Sequence, residues 1–285
     1  MLKRKKIHKR DLPKLKKYYR VQRRQAKTVF SLGSFIMLLS FVAISWTTYN
    51  LLSWDVDNKS TQKVNEYIAS IINTNNSNIQ VENDLLDCKG EEKISLDTPK
   101  QIDFQRLRSI NSDTVGYLTV KGTTISYPIV QTLDNEFYLN HSFDKRENAM
   151  GWIYLDYRNS LTKLNDNSII YGHGGSDKAL FGTLKNVLTK NWVNDTSNHF
   201  INLKILNEEM VWEVFSVYKI PTETYYLTSS FGTKESHQEF INTVKNRSLY
   251  DFAVDVSIDD KILTLSTCYN NAEKVVLHAK LIERR

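Results

Sequence analysis

The sequence predicts a mainly β domain carried behind one membrane-spanning helix, and three observations predict it. Short runs of β-branched and aromatic residues, separated by turn residues, recur from residue 115 to residue 282. One uncharged apolar stretch, residues 28–54, is long enough to cross a bilayer. Between the two, apolar residues fall at helical spacing. The chain has 285 residues, room for one domain of about 150–200 residues with an appendage. Ten Gly and four Pro exclude a collagenous or low-complexity chain, and two Cys exclude a disulfide-dense scaffold and a four-Cys zinc site.

Residues 1–27 form a basic tail. They hold thirteen Lys and Arg against one acid, Asp11, a net of +12; the whole chain carries +6, so the remainder carries −6. The body is mildly acidic, which argues against a groove for nucleic acid. A polybasic segment beside an apolar span suits the anionic lipid of a membrane surface. Val29 through Leu52 has no charge before Asp55, and its Ser residues can bond back to the helix backbone. Trp46, Tyr49 and Trp54 suit the far headgroup zone. The stretch is longer than a signal-peptide core and no small-x-small cleavage site follows, so an uncleaved anchor is expected. Positive charge stays cytoplasmic, which puts the N-terminus inside and residues 55–285 outside.

Residues 55–110 are expected to hold N-terminal helices and a linker. Val64, Ile68, Ile71 and Ile72 have helical spacing within residues 58–86, with the Asn-rich stretch Asn73–Asn78 expected to break that helix. Residues 87–100 have a linker's polar, turn-rich composition, and Phe104, Leu107 and Ile110 mark a short helix. The domain proper is expected over residues 111–285. Its strands are predicted at Val115–Val120, Ile125–Val130, Gly151–Asp156, Ser168–Tyr171, Phe200–Leu206, Val211–Tyr218, Phe252–Ile258, Ile262–Thr267 and Lys274–Ile282. Many closely spaced short strands argue for an antiparallel barrel or sandwich. One helix interrupts them at Lys234–Arg247, where Phe240, Ile241 and Val244 share a face.

Six His and two Cys can be weighed singly. Cys268 ends an alternating strand beside a polar loop, Tyr269-Asn270-Asn271, where a thiol can meet a substrate. Residue type alone favours a small buried hydrophobe instead. His173 closes a strand that runs into a Gly-rich turn; a catalytic imidazole and an ordinary turn histidine fit equally. No Lys-Ser/Thr pair follows, so a phosphate-cradling loop is a weak match. His141, His199, His237 and His278 lack metal-ligand spacing and read as surface or strand residues, so no metal is expected. Cys88 falls in the linker.

Taken in order, the motifs resemble those of the sortases, class B in particular, over about residues 60–285. Thr264-Leu265-Ser266-Thr267-Cys268 is similar to the family's nucleophile signature and Ile170-Tyr171-Gly172-His173 to its histidine signature. Gly122–Gln131, Asn135–Leu139 and Gly151–Asn159 look like its early strands, and the 234–247 helix like the class B insertion. The resemblance implies an eight-stranded sortase-type β-barrel, with residues 111–285 as the catalytic domain of a membrane-anchored cysteine transpeptidase. It implies that Cys268 attacks a carbonyl in the C-terminal sorting motif of a secreted protein, that His173 moves the protons, and that an amine of a cell-wall precursor or peptidoglycan takes the acyl group. Tyr171, Ser266, Asn135, Thr222, Tyr226 and Leu227 match positions that line the class B substrate groove. No cofactor is implied. A pilin-joining enzyme with a subunit Lys as acceptor, and a catalytically silent peptide- or wall-binding domain, are the alternatives.

One position departs from the family. Sortases carry an essential Arg on the strand after the Cys, and here that strand begins with Lys274. Lysine keeps the charge and loses the planar fork of donors. Three readings stay open: Lys274 substitutes, another cation such as Arg284 or Arg247 fills in, or the enzyme is impaired.

Overall fold

The computed structural model describes residues 12–79, 102–174, 179–221, 223–268 and 273–285. The expected linker at 87–100, Cys88 and Thr222 lie outside the described residues. The chain divides into two compact units, Met1–Val56 and Asp57–Arg285.

In the first unit, helix α1 (Leu12–Ile79) contains a stretch long and apolar enough to cross a membrane by length and composition. This is consistent with a membrane anchor. Its Leu38, Phe41 and Ile44 are exposed. Two hydroxyls there are satisfied within the helix: Ser40 donates to the Ile36 carbonyl and Thr48 to that of Ile44.

From Asp57 onward α1 belongs to the second unit. Val64, Ile68 and Ile72 recur at four-residue intervals and join the main core. Asn148 Nδ2 donates to the Asp57 carbonyl and to Thr61 Oγ1, fixing the depth of that docking. The Asn73–Asn78 stretch does not break the helix, which runs on to Ile79. No Gly or Pro lies in that stretch, and Asn costs under about 0.7 kcal/mol per helical position. Helix α2 (Phe104–Ile110) forms as expected, capped by Asp103 and burying Phe104 and Leu107.

Eight strands close into a barrel in the order β1-β2-β3-β4-β7-β8-β6-β5. They are β1 (Thr114–Val120), β2 (Ser126–Val130), β3 (Tyr154–Leu155), β4 (Asn167–Tyr171), β5 (Phe200–Ile205), β6 (Glu208–Pro221), β7 (Ile262–Cys268) and β8 (Glu273–Arg284). The antiparallel expectation needs one correction, because β2–β3 and β4–β7 pair in parallel. Such pairs need long crossovers, and β5, β6 and helix α4 (Lys234–Arg247) lie between β4 and β7 in the chain. The interior is filled by Leu118, Ile129, Ile170, Leu203, Trp212, Leu265 and Leu277, each fully buried.

The short helix α3 (Lys190–Asn194) buries Trp192. Helix α4 covers a second core with His237, Phe240, Ile241 and Val244, the i, i+3, i+4, i+7 stripe of an amphipathic helix. Thr233 and Ser236 close a reciprocal cap at its start.

The strand predicted at Phe252–Ile258 is absent. Ala253 takes a left-handed φ of 55°, which breaks an extended run. Val256 is buried against the α4 core, while the Val254 and Asp255 carbonyls accept from the Lys245 and Lys280 ammonium groups rather than from a neighbouring strand. An apolar run under a helix thus mimics a strand in its pattern. The Gly151–Asp156 run likewise contributes only Tyr154–Leu155 as strand.

Candidate active site

The parallel β4–β7 pair positions the site. Its register matches Ile169 with Thr264, Ile170 with Leu265 and Tyr171 with Ser266, and the Gly172 amide donates to the Ser266 carbonyl at 3.3 Å. His173 follows Tyr171 by two residues and Cys268 follows Ser266 by two. A parallel pair in register sends both chain directions to the same barrel rim, so the two motifs end side by side. β8 then returns antiparallel, with Lys274 opposite Cys268. His173 is thereby brought to the rim where Cys268 and Lys274, neighbours across the β7–β8 connection, already stand.

A cleft of about 110 Å³ opens at this rim, between Leu139, Tyr171, His173, Ser266, Thr267 and Lys274, with Trp152 and Met150 also lining it. His173 is exposed and its carbonyl accepts from the Phe181 amide. Gly172 lets the Phe181 ring pack on the backbone just before His173, since a Cβ there would stand 2.6 Å from that ring. Thr267 Oγ1 is buried without a hydrogen-bond partner among the described residues, an unspent hydroxyl beside the cleft.

The other predicted residues divide into those at the cleft and those behind it. Tyr171 and Ser266 line it. Tyr226 is buried, and its hydroxyl meets Ser266 Oγ at 3.0 Å. Leu227 closes the same turn, Tyr225–Leu227, and gives its carbonyl to Arg158 Nη2. Asn135 donates to Asp156 Oδ2 and accepts from the Tyr157 amide, so it meets the cleft through Asp156, which also accepts from the Tyr171 hydroxyl at 2.9 Å.

Sequence reasoning missed Asp156. Its signal was an Asp with Arg158 two residues later, inside a run read only as a strand. Burial pushes the Asp156 carboxyl up, but hydrogen bonds from Arg158, Tyr171 and Asn135 outweigh that and hold it below the usual carboxylate range. Burial and the Asp156 charge push the Tyr171 phenol up.

Neither substitute cation lines the cleft. Arg284 pairs with Glu208 and reaches the Thr162 carbonyl; it stands ten residues along β8 from Lys274, roughly 30 Å at strand rise. Arg247 pairs with Glu223 and covers the Tyr225 ring. Lys274 alone of the three lies in the cleft lining.

His278, read from the sequence as a strand residue, is fully buried on β8 between Thr264 and Tyr218. Thr264 Oγ1 donates to Asn167 Oδ1 and so accepts from His278 Nδ1, leaving Nε2 to accept from Tyr218. Burial pushes the imidazole down to about 3. The unfolded chain therefore binds a proton below pH ~6.5 that the folded chain refuses. Stability is full above that value and is lost as pH falls toward 3, by up to about 1.4 kcal/mol per pH unit. His237 shifts in the same direction, by burial. Urea midpoints between pH 7 and 4.5 are expected to fall less steeply in His278→Gln than in wild type; parallel slopes would contradict this.

The match with known proteins agrees with this geometry. A family model for the Sortase domain matches residues 118–282. Sortase B of Listeria monocytogenes is 34% identical over 186 residues, 64% of this chain and 75% of that one. Sortase B of Staphylococcus aureus is 33% identical over 184 residues, 63% of this chain and 75% of that one. A crystal structure of sortase B complexed with triglycine superposes with a TM-score of 0.60 at 33% identity, covering 63% of this chain and 85% of that one. The chain belongs to the sortase family, the cysteine transpeptidases that act on proteins bearing sorting signals and on cell-wall amines. Within that family it is of class B, with the eight-stranded barrel and the helix between β6 and β7.

Proposed function

We propose that Cys268, His173 and Lys274 carry out this transpeptidation at the β4–β7–β8 rim. The Cys268 thiolate adds to the carbonyl carbon of a sorting motif of the Asn-Pro-x-Thr type. The C–N bond breaks, the departing amine takes a proton from the His173 imidazolium, and a thioester remains. An incoming wall amine adds to that thioester, gives its proton to His173, and an amide replaces the C–S bond. Lys274 stabilises the oxyanion of both tetrahedral intermediates with its ammonium charge. A solved sortase B is complexed with triglycine, which supports an amine acceptor here as well. Water competes poorly because binding positions the amine.

The observation that carries this reading is the in-register pairing of β4 with β7, with Lys274 opposite Cys268 on β8. The basic tail at 1–27 and the anchor at 28–54 favour a cytoplasmic N-terminus, with helices and linker over 55–110 and the catalytic domain, 111–285, outside the cell. The test is mass spectrometry of the full chain in detergent after mixing with a sorting peptide. An acyl adduct on Cys268, discharged by triglycine, is expected; peptide binding with no adduct would favour the silent binding domain that the Lys274 departure leaves open.

Lys274→Arg is expected to preserve or raise the transfer rate, because the guanidinium keeps the charge and adds a planar fork of donors. Lys274→Ala is expected to lower it by about 10²-fold or more, the cost of one lost oxyanion donor. Peptide-cleavage rates measure both, and equal rates in all three proteins would move the role elsewhere.

A further inference from the structure

We propose that the Asp156–Arg158 pair is the positioning unit of the peptide groove, a single buried carboxylate that ties the cleft-lining Tyr171 to two segments behind the cleft, at Asn135 and at Tyr225–Leu227. This rests on the reading of the cleft as the groove for a sorting peptide.

The Asp156 side chain is fully buried. Its Oδ2 accepts from the Tyr171 hydroxyl at 2.9 Å, from Asn135 Nδ2 at 3.0 Å and from Arg158 Nη2 at 2.8 Å. Its Oδ1 accepts from the Arg158 amide and from Arg158 Nε. Arg158 Nη2 also donates to the Leu227 carbonyl at 2.9 Å. One ion pair therefore ties three segments that are far apart in the chain: the loop at Asn135, the end of β4 at Tyr171, and the turn Tyr225–Leu227. The third also touches the cleft lining, through Tyr226 on Ser266.

Saturation argues against a direct chemical role. Both oxygens already accept two or more hydrogen bonds, and with no exposure the carboxylate cannot exchange a proton with substrate. Stability alone is also a weak reason for such a pair, since apolar packing of similar volume commonly serves as well. Geometry remains. The fork of Arg158 holds Asp156 at two points and Leu227 at a third, so a shift of any one segment is resisted by the other two.

Three measurements on the full chain test this, with Asp156→Asn as the main variant. Hydrogen exchange is expected to quicken together at the Asn135 loop, the β4 end and the 225–227 turn, with β1, β5 and β6 unchanged. KM for a sorting peptide is expected to rise about 10-fold or more with kcat nearly kept, on the scale that small misplacements of binding groups cost. Alkylation of Cys268 by iodoacetamide, which needs no groove, is expected to keep its rate. Should Asp156→Asn fold poorly, Arg158→Lys keeps the charge and loses the fork; it is expected to loosen the 225–227 turn alone and to raise KM less. Unchanged exchange in the three segments overturns the proposal. So does a loss carried by kcat together with slowed alkylation, which would mark general damage. A wild-type chain that turns over no sorting peptide sinks the groove reading instead, and the exchange comparison still decides whether Asp156 couples the segments.

Discussion

Cys268→Ala is expected to abolish transpeptidation, with peptide cleavage falling by about 10⁴-fold or more, the scale on which removing a nucleophile acts. In the proposed mechanism the thioester step has no substitute: once the sulfur is gone, no covalent intermediate holds acyl energy for the amine. The same variant is expected to bind the sorting peptide about as well as wild type, because the groove contacts proposed for Tyr171, Ser266 and the 225–227 turn do not involve the sulfur. Chromatography of cleaved peptide and mass spectrometry of the protein read the two halves separately. Cleavage at the wild-type rate by Cys268→Ala would refute the mechanism outright.

His173→Ala is expected to lower the rate by about 10²–10⁴-fold, the usual range for removing a general acid–base group. The loss should fall on both half-reactions. Acylation needs a proton for the departing amine, and deacylation needs one removed from the incoming amine. Single-turnover measurement of adduct formation, followed by chase with triglycine, separates them. A variant slowed in neither step would show that the exposed imidazole is an ordinary rim residue. The side chain is exposed and its carbonyl anchors to Phe181, so folding should be little affected by the change.

How far the chain could be read in advance differs by element. The docking face of α1 was legible because Val64, Ile68, Ile71 and Ile72 repeat at helical spacing, and all four are buried. So was α4, through Phe240, Ile241 and Val244. The false strand at Phe252–Ile258 shows the limit of pattern. Alternating apolar residues satisfy a core whether or not their backbone joins a ladder, and here lysine side chains and a left-handed Ala253 settled the matter. The helix through Asn73–Asn78 erred the other way, since weak helix formers end a helix only when something else supports the end.

Local residue chemistry determined which groups could react: a thiol at a strand's end, an imidazole before a Gly-rich turn, a lysine opening the last strand. Local chemistry also marked the uncharged span and the basic tail before it. Tertiary structure alone decided that the strand ends carrying these groups share one rim, because a parallel β4–β7 pairing spans about ninety residues and no local signal records which strand lies beside which. Asp156 belongs to the same category. Arg158 is a local partner, but only the folded barrel brings Asn135 and Tyr171 to the same buried charge.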